Sequence, residues 1–329
     1  MDTTHTMKAI IYTEYGSPDV LRMDDVTIPT PKADEILIKV RASTVTTGDV
    51  NIRGFTFVPN DMKLLPRLVF GLRKPKNPIL GTEVAGDVVA IGDDVTQFKV
   101  GDTVFGIGSM ELGAYAEYVT RKANRALAHI PAGMSYEDAV SLPFGAGTAL
   151  YFLRDRAQVG PGQHILINGA SGSVGSYGVQ IAKALGAEVT GVCSTRNMDL
   201  VRELGANHVI DYTREDFTQN HATYDVIMDT VVGKMTFGRA KNALKSEGLY
   251  LAIAGGFGDM FRSIWNKRLI TGSPREDAAS MNELAEMFES GQIKPFIDRT
   301  YPLAETAEAH RYVETWRKRG SVVIAVDGG

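Results

Sequence analysis

Glycines 169, 172 and 175 lie in the run Ile165-Leu166-Ile167-Asn168-Gly169-Ala170-Ser171-Gly172-Ser173-Val174-Gly175, with the spacing Gly-x-x-Gly-x-x-Gly. An apolar strand leads into them. A helical face follows, with Val174, Gly178, Ile181, Ala182 and Leu185 at 3.6-residue spacing. Such a turn suits a dinucleotide: the chain must turn sharply, approach the pyrophosphate closely and let the helix pack on the strand. The N–H groups of Ser173, Val174 and Gly175 at the helix opening then face the anion. A glycine-rich turn without a ligand is the bland alternative. The adenosine ribose of a bound dinucleotide would lie at the end of the next strand, Val189 to Cys193, where no acid stands and Ser194, Thr195 and Arg196 follow instead. Two hydroxyls and a guanidinium suit a 2′-phosphate, which favours NADP(H), with Tyr212 placed to cover the adenosine. A merely solvated Arg196 at a helix start is the competing reading.

These residues need a scaffold. From Gln163 onward strands alternate with helices, at 164–168, 188–193, 208–212, 225–230 and 248–254, with a sixth candidate at Arg268 to Thr271. That texture means a parallel, doubly wound sheet. Gly255 and Gly256 follow the fifth strand, at the carboxyl edge where such sheets receive ligands, and are expected close to the cofactor. The first third of the chain alternates apolar and polar residues in short runs, at Lys8–Tyr12, Glu35–Val40, Glu83–Ile91 and Thr103–Phe105, which signals a β-rich domain. A helix marked by Met281, Leu284, Met287 and Phe288 ends at Gly291. Another runs from about Ala304 to Lys318, and the strand Ser321–Val326 is expected to return to the first domain. The expected division is 1–128 for the first part of the β-rich domain, 129–272 for the nucleotide-binding domain and 273–329 for the returning part.

A chain of 329 residues with net charge −4 and interspersed charges has no electrostatic footprint for nucleic acid. With one cysteine, Cys193, it forms neither an intrachain disulfide nor a four-cysteine zinc site. The residues from Met1 to Met7 lack a basic region followed by an apolar one, and no run of eighteen apolar residues follows. A cytoplasmic protein is expected.

Gly81-Thr82-Glu83-Val84-Ala85-Gly86, Val100-Gly101-Asp102-Thr103-Val104-Phe105-Gly106, Gly113-Ala114-Tyr115-Ala116-Glu117-Tyr118 and the Gly-rich turn come in the order found in medium-chain dehydrogenases/reductases. The chain resembles, over nearly its whole length, the zinc-independent quinone oxidoreductase branch of that superfamily. The resemblance implies an α/β protein with a GroES-like β-rich catalytic domain split around a Rossmann domain with a doubly wound parallel sheet. Thr82 stands where zinc alcohol dehydrogenases carry a histidine, and Ser43 and Thr44 stand where a ligand cysteine is expected, so no metal is expected. The six histidines show no ligand spacing, and His310 reads as a packed or hydrogen-bonded helix residue. Thr46-Thr47-Gly48-Asp49-Val50-Asn51-Ile52-Arg53 matches the family segment Asn-x-x-Asp-x-x-x-Arg, with Thr46 in place of the Asn. By that match Thr46 is a candidate hydrogen-bond donor and Asp49 orients the nicotinamide side or a proton relay. A structural Asp49–Arg53 ion pair is the alternative. Ser141 to Ala149 resembles the family helix whose Thr lies beside the nicotinamide, which transfers that contact to Thr148; an ordinary helix back-bond is its alternative.

Without zinc to polarise a carbonyl, the expected acceptors are quinones or conjugated enones, reduced by hydride from NADPH. Quinone reduction is the first reading and enone or enal double-bond reduction the second. A non-catalytic NADPH-binding protein is the rival from another class. The stretch Met62 to Lys76 mixes apolar residues with five cations. It reads as a lid over the acceptor pocket, as plain packing, or as a reversible contact with an anionic membrane, and is too short to span one. No membrane partner is expected, and a homodimer is left open.

Overall fold

A computed structural model describes residues 5–56, 67–68, 70–253 and 255–326 of the chain. In chain order its elements are β1 (Thr6–Ile11), β2 (Arg22–Thr27), β3 (Glu35–Thr44), α1 (Thr47–Gly54), β4 (Glu83–Ile91), β5 (Thr103–Ile107), β6 (Tyr118–Lys122), β7 (Leu127–His129) and α2 (Tyr136–Val140). There follow α3 (Leu142–Leu150), β8 (His164–Asn168), α4 (Ser173–Ala184), β9 (Glu188–Cys193), α5 (Met198–Glu203), β10 (His208–Asp211), β11 (Tyr224–Asp229), α6 (Phe237–Ala240), β12 (Leu244–Ala252), α7 (Phe257–Trp265) and β13 (Leu269–Ile270). The chain continues through α8 (Ala278–Glu289), β14 (Ile297–Pro302), α9 (Thr306–Glu314) and β15 (Ser321–Ala325).

Contacts divide the chain into a first unit of residues 1–143, 276–286 and 297–329 and a second of 144–275 and 287–296. The expected division puts the first seam at 128/129, but α2 packs on β3 and β4, so residues up to 143 go with the first unit. In that unit β3, which is buried along nearly its whole length, is paired antiparallel with β4, β6 and β15. The sheet order is β14-β15-β3-β4-β5-β7, with β6 on β3. The tail therefore returns to the first unit through β15, as expected. Ile36, Ile38, Val40, Val84, Val104, Val322 and Ile324 from these strands form one buried core.

The second unit carries a six-stranded sheet in the order β10-β9-β8-β11-β12-β13, all pairs parallel. Strands covered on both faces read as continuous apolar runs, and Ile165, Leu166 and Ile167 at its centre are fully buried. The carboxyl ends of β8, β11 and β12 are joined by polar side chains. Asp229 accepts from Asn168 Nδ2 at 2.8 Å and from the Tyr250 hydroxyl at 2.6 Å, and the Thr230 hydroxyl donates to the Asn168 carbonyl at 2.8 Å. Burial raises the Asp229 carboxyl above its usual range.

Candidate functional site

The Gly-rich turn leaves β8 and opens α4, and its three glycines do different work. Gly169 has φ +82°, and a Cβ there would come within 2.5 Å of Thr230 Oγ1. A Cβ on Gly175 would come within 2.1 Å of the Gly169 carbonyl oxygen, so the helix can lie on the turn only if this residue is glycine. Gly172 differs: a Cβ would meet only that same oxygen at 3.4 Å, an ordinary contact. Gly172 is the N-cap of α4 and offers no side-chain cap. The N–H groups of an α-helix's first turn point out of its start, and the positive helix end favours an anion there. Val174 is buried and Ser173 half-buried. This open, glycine-lined helix start fits a dinucleotide pyrophosphate.

Beside it, Ser194 stands at the N-cap position of a short 3₁₀ turn, Thr195–Asn197, at the end of β9, without a side-chain cap bond. Arg196 is exposed and Ser194 half-buried. One expectation needs correction here. An acid does stand near the end of β9, contributed by the next strand: Asp211, the register partner of Cys193, accepts a hydrogen bond from the Thr195 hydroxyl. Parallel pairing brings a residue 18 positions away to the neighbouring strand's end, which a window on β9 alone does not reveal. Thr195 is thus committed within the protein, unlike the free hydroxyl expected. Asp211 also accepts from the Thr213 N–H and hydroxyl at 3.0 and 2.8 Å and faces Arg214 at 3.7 Å. The hydrogen bonds from Thr195 and Thr213 hold its carboxyl below the usual range. Tyr212 is 60% exposed, its N–H donating to the Cys193 carbonyl at 3.1 Å. Burial pushes the Cys193 thiol up to about 11, which leaves it protonated and unsuited to nucleophilic work.

Asn197 is the residue that sequence reasoning overlooked. It is buried, and its Nδ2 donates to Ser171 Oγ at 2.9 Å and to Ser194 Oγ at 3.3 Å, joining the Gly-rich turn to the end of β9. An Asn four residues beyond a strand is an ordinary turn residue, and only the fold shows what it holds.

Gly256 is the N-cap of α7, again without a side-chain cap, and a Cβ on it would meet nothing within 4 Å. A Cβ on Gly255 would meet Ala252 at 3.1 Å. Both glycines follow β12 and are exposed. Thr148 is buried within α3.

In the first unit, Thr46 and Asp49 meet at the start of α1, where they form a capping box. Asp49 Oδ2 accepts from the Thr46 N–H at 2.9 Å and from the Thr46 hydroxyl at 2.6 Å, while that hydroxyl accepts from the Asp49 N–H at 3.2 Å. A hydroxyl has one proton, and here Asp49 holds it. Thr46 therefore does not present the free donor expected of it while Asp49 is ionised. Asp49 is fully buried, and burial pushes its carboxyl up to about 6.

The alternative Asp49–Arg53 ion pair is absent, because Arg53 is held elsewhere. Its Nε donates to the Gly16 carbonyl at 3.1 Å, Nη1 lies 3.2 Å from His310 Nδ1, and Nη2 pairs with Glu314. His310 is fully buried and lies edge-on to Tyr115, as its reading as a packed helix residue requires. Burial and the adjacent guanidinium hold its imidazole neutral. Near them, Thr44 donates to the Glu83 carboxylate and Ser43 Oγ to the Glu83 carbonyl at 2.8 Å, and Thr82 is buried. These neutral hydroxyls are poor zinc ligands. Among the described residues no group of three or more His, Cys, Asp or Glu side chains is placed to hold a metal ion.

Of the Met62 to Lys76 stretch, residues 62–66 and 69 lie outside the described residues. The rest packs on the first unit: the Arg67 guanidinium lies over the rings of Tyr15 and Phe55, Phe70 meets Phe55 edge-on, and the Tyr15 hydroxyl donates to the Gly71 carbonyl at 3.1 Å. Lys76 Nζ donates to the Leu68 carbonyl at 2.7 Å. Among the described residues no helix is long and apolar enough to cross a membrane.

Residues 32–132 match the model of the alcohol dehydrogenase GroES-like domain, and 204–324 that of the zinc-binding dehydrogenase family. The 2-methylene-furan-3-one reductase of Solanum lycopersicum is 32% identical, over 97% of this chain and 79% of that protein. The chain belongs to the medium-chain dehydrogenase/reductase superfamily. The NADPH-dependent alkenal/one oxidoreductase of Arabidopsis thaliana is 31% identical over 97% of this chain and 79% of that protein. Among solved structures, the quinone oxidoreductase from Coxiella burnetii superposes with a TM-score of 0.87 at 28% identity, covering 98% of this chain and all of that one. Within the superfamily the chain is an oxidoreductase of the quinone oxidoreductase-like branch, with the GroES-like domain and parallel-sheet domain expected of it.

Proposed function

We propose that this oxidoreductase takes NADPH and reduces a quinone or a similarly conjugated carbonyl compound without a metal ion. The observation that carries the reading is the uncapped start of α4 at Gly172, with Gly175 packed so tightly on Gly169 that the helix end must face the turn. When bound, the cofactor supplies a hydride. The protein's part is to hold the pyrophosphate on the N–H groups at Ser173, Val174 and Gly175 and to let Gly255 and Gly256 pass close to it. NADPH is favoured over NADH because Arg196 and Ser194 stand at the end of β9, while the nearby Asp211 carboxylate is buried, hydrogen-bonded by Thr195 and Thr213, and faced by Arg214. The metal-free reading rests on Thr82, Ser43 and Thr44, hydroxyls in places where a zinc site needs His and Cys.

At the acceptor, Thr46 becomes a donor only when Asp49 carries a proton: the carboxyl O–H then donates to Thr46 Oγ1, and the hydroxyl proton is free for an acceptor oxygen. The enone reading gains from the relatives named as reductases of a methylene-furanone and of alkenals and alkenones. The deciding experiment is anaerobic NADPH oxidation against a panel of quinones and enones with product identification. Hydroquinone supports the first reading, a saturated carbonyl the second, and no turnover with any acceptor overturns both. Activity should survive dialysis against a chelator; loss restored by zinc would refute the metal-free reading.

A further inference from the structure

The stretch from Met62 to Leu80 carries five cations and no acid, in a chain whose net charge is −4. Its described residues divide into those that pack and those that do not. Arg67 lies over the rings of Tyr15 and Phe55, Phe70 meets Phe55, and Pro75 is buried. Leu68 and Leu72, by contrast, are each 53% exposed, and Met110, which lines a hollow together with Phe70 and Lys76, is 63% exposed. Arg73, Lys74 and Lys76 are exposed as well. Large apolar side chains left outside, among cations of one sign, mark a surface that meets something other than water.

The backbone points the same way. The Arg67 carbonyl accepts from the Gly71 N–H at 2.8 Å, and the Phe70 carbonyl from the Lys76 N–H at 2.8 Å. The Leu68 carbonyl accepts from Lys76 Nζ at 2.7 Å, the Gly71 carbonyl from the Tyr15 hydroxyl at 3.1 Å, and the Leu72 carbonyl from Arg67 Nη1 at 2.8 Å. Every described carbonyl from Arg67 to Leu72 therefore has a donor from within the protein. A loop bathed in water leaves such groups to the solvent, whereas in a medium poor in water each must be met internally.

We propose that Leu68, Leu72 and Met110 dock this unit reversibly on the surface of an anionic lipid bilayer, with Arg73 and Lys74 at the headgroup phosphates. The apolar side chains enter the boundary of the acyl chains while the cations stay at headgroup level, so the contact lies in the interface and spans nothing. It replaces the expectation that the protein has no membrane partner. Charge decides the occupant. Cations without an acid suit an anionic bilayer, while two copies of this chain meeting through the patch about a two-fold axis would bring cations against cations. Three part-exposed side chains also fall well short of the roughly 800 Å² per partner of a stable protein interface. The contact needs neither cofactor nor acceptor, so it stands or falls separately from the reductase reading.

The test is flotation of the full chain with vesicles of phosphatidylcholine alone and of phosphatidylcholine mixed with phosphatidylglycerol, at low and high salt. The wild type should float with the mixed vesicles, be released by salt, and stay behind with phosphatidylcholine alone. Arg73→Gln combined with Lys74→Gln should weaken binding roughly fivefold for each charge removed. Leu68→Ser combined with Leu72→Ser should weaken it at least about tenfold. Thermal melts check that both variants fold, and a label reads insertion without either of them. An environment-sensitive fluorophore on Leu72→Cys, where the buried Cys193 does not compete for it, should brighten and shift to the blue on mixed vesicles. Failure of the wild type to float at low salt, binding that neither double variant weakens, or binding without the blue shift overturns the proposal. A dimer in sedimentation velocity that Leu68→Ser with Leu72→Ser dissociates gives the patch to a second copy and overturns it too.

Discussion

Two helices of this chain start just past the end of a strand, and they treat their unpaired N–H groups in opposite ways. At α1, in the first unit, Thr46 and Asp49 close the end with a capping box. At α4, in the second, Gly172 offers no side chain to the end at all. A closed helix end is finished by its own residues, whereas an open one keeps donors and a positive field for something else. The comparison separates positions where side chains serve the fold from positions where their absence serves a ligand, and it changes the reading of both. The three glycines need no chemistry of their own, because the backbone supplies it. Thr46 and Asp49 have chemistry, but their first use is to satisfy one another, and Asp49 carries the cost of burial in a carboxyl pushed up to about 6.

The largest effect that can break this contrast is at Gly175. Gly175→Ala puts a Cβ 2.1 Å from a backbone oxygen that cannot swing aside, so it should destabilise the protein by at least the roughly 1–3 kcal/mol of an overpacked site and abolish NADPH binding. Gly172→Ala makes only an ordinary contact at 3.4 Å. It should leave the melting temperature nearly unchanged while weakening NADPH binding, because the added methyl stands at the approach to the helix end. Thermal melts paired with a fluorescence titration of NADPH check both. If Gly172→Ala melts like Gly175→Ala, or binds like the wild type, the open end is structural and the comparison fails.

What the sequence could and could not show follows the same division. The Gly-rich unit was readable because its signals are local: a turn, a helical face and the next strand lie within about thirty residues, and β8, α4 and β9 stand where the pattern puts them. The β2 and β14 strands were not read, and their residues explain it. Arg22–Thr27 and Ile297–Pro302 are exposed or half-exposed along their length, so neither carries the apolar alternation that marks a half-buried strand. The polar cluster of Arg53, His310 and Glu314 joins residues more than 250 positions apart, beyond any motif window. Asp211 was hidden in a milder form, one strand away from the position where the acid was sought. Local spacing therefore reveals where backbone chemistry sits, while the partners that commit or release a side chain emerge only from the fold.

A smaller effect sharpens the open side of the comparison. Arg196→Ala removes a cation beside the proposed 2′-phosphate, and a charge-assisted contact of that kind contributes about 1.5–3 kcal/mol. NADPH should then bind roughly ten- to a hundredfold more weakly, with NADH affected little. The two dissociation constants, measured by calorimetry at fixed ionic strength, check it. Equal losses for both cofactors would remove Arg196 from the phosphate site and return Asp211 to consideration as a ribose ligand.

The last effect tests the closed side, through Asp49. Its carboxyl titrates near 6 in the native chain and near 3.9 in the unfolded one. Between those pH values the native state holds a proton that the unfolded state has released, so stability falls as pH rises through this window and the loss is complete above it. The fall is about 1.4 kcal/mol for each unit separating the two values. Asp49→Asn removes the titration. Its side-chain oxygen, in the place of Oδ2, can still accept from both the Thr46 N–H and the Thr46 hydroxyl, so the capping box survives without a titrating group. The variant's melting temperature, measured relative to the wild type, should therefore gain steadily from pH 4 to pH 6 and stay level beyond. Thr46→Ala works against the same box from the other side: it costs about 1 kcal/mol of cap and strips Asp49 of a hydrogen bond, which moves the wild-type slope to higher pH. If both variants track the wild type across that range, Asp49 does not titrate there, stays ionised and holds the Thr46 proton throughout, so Thr46 is never released as a donor.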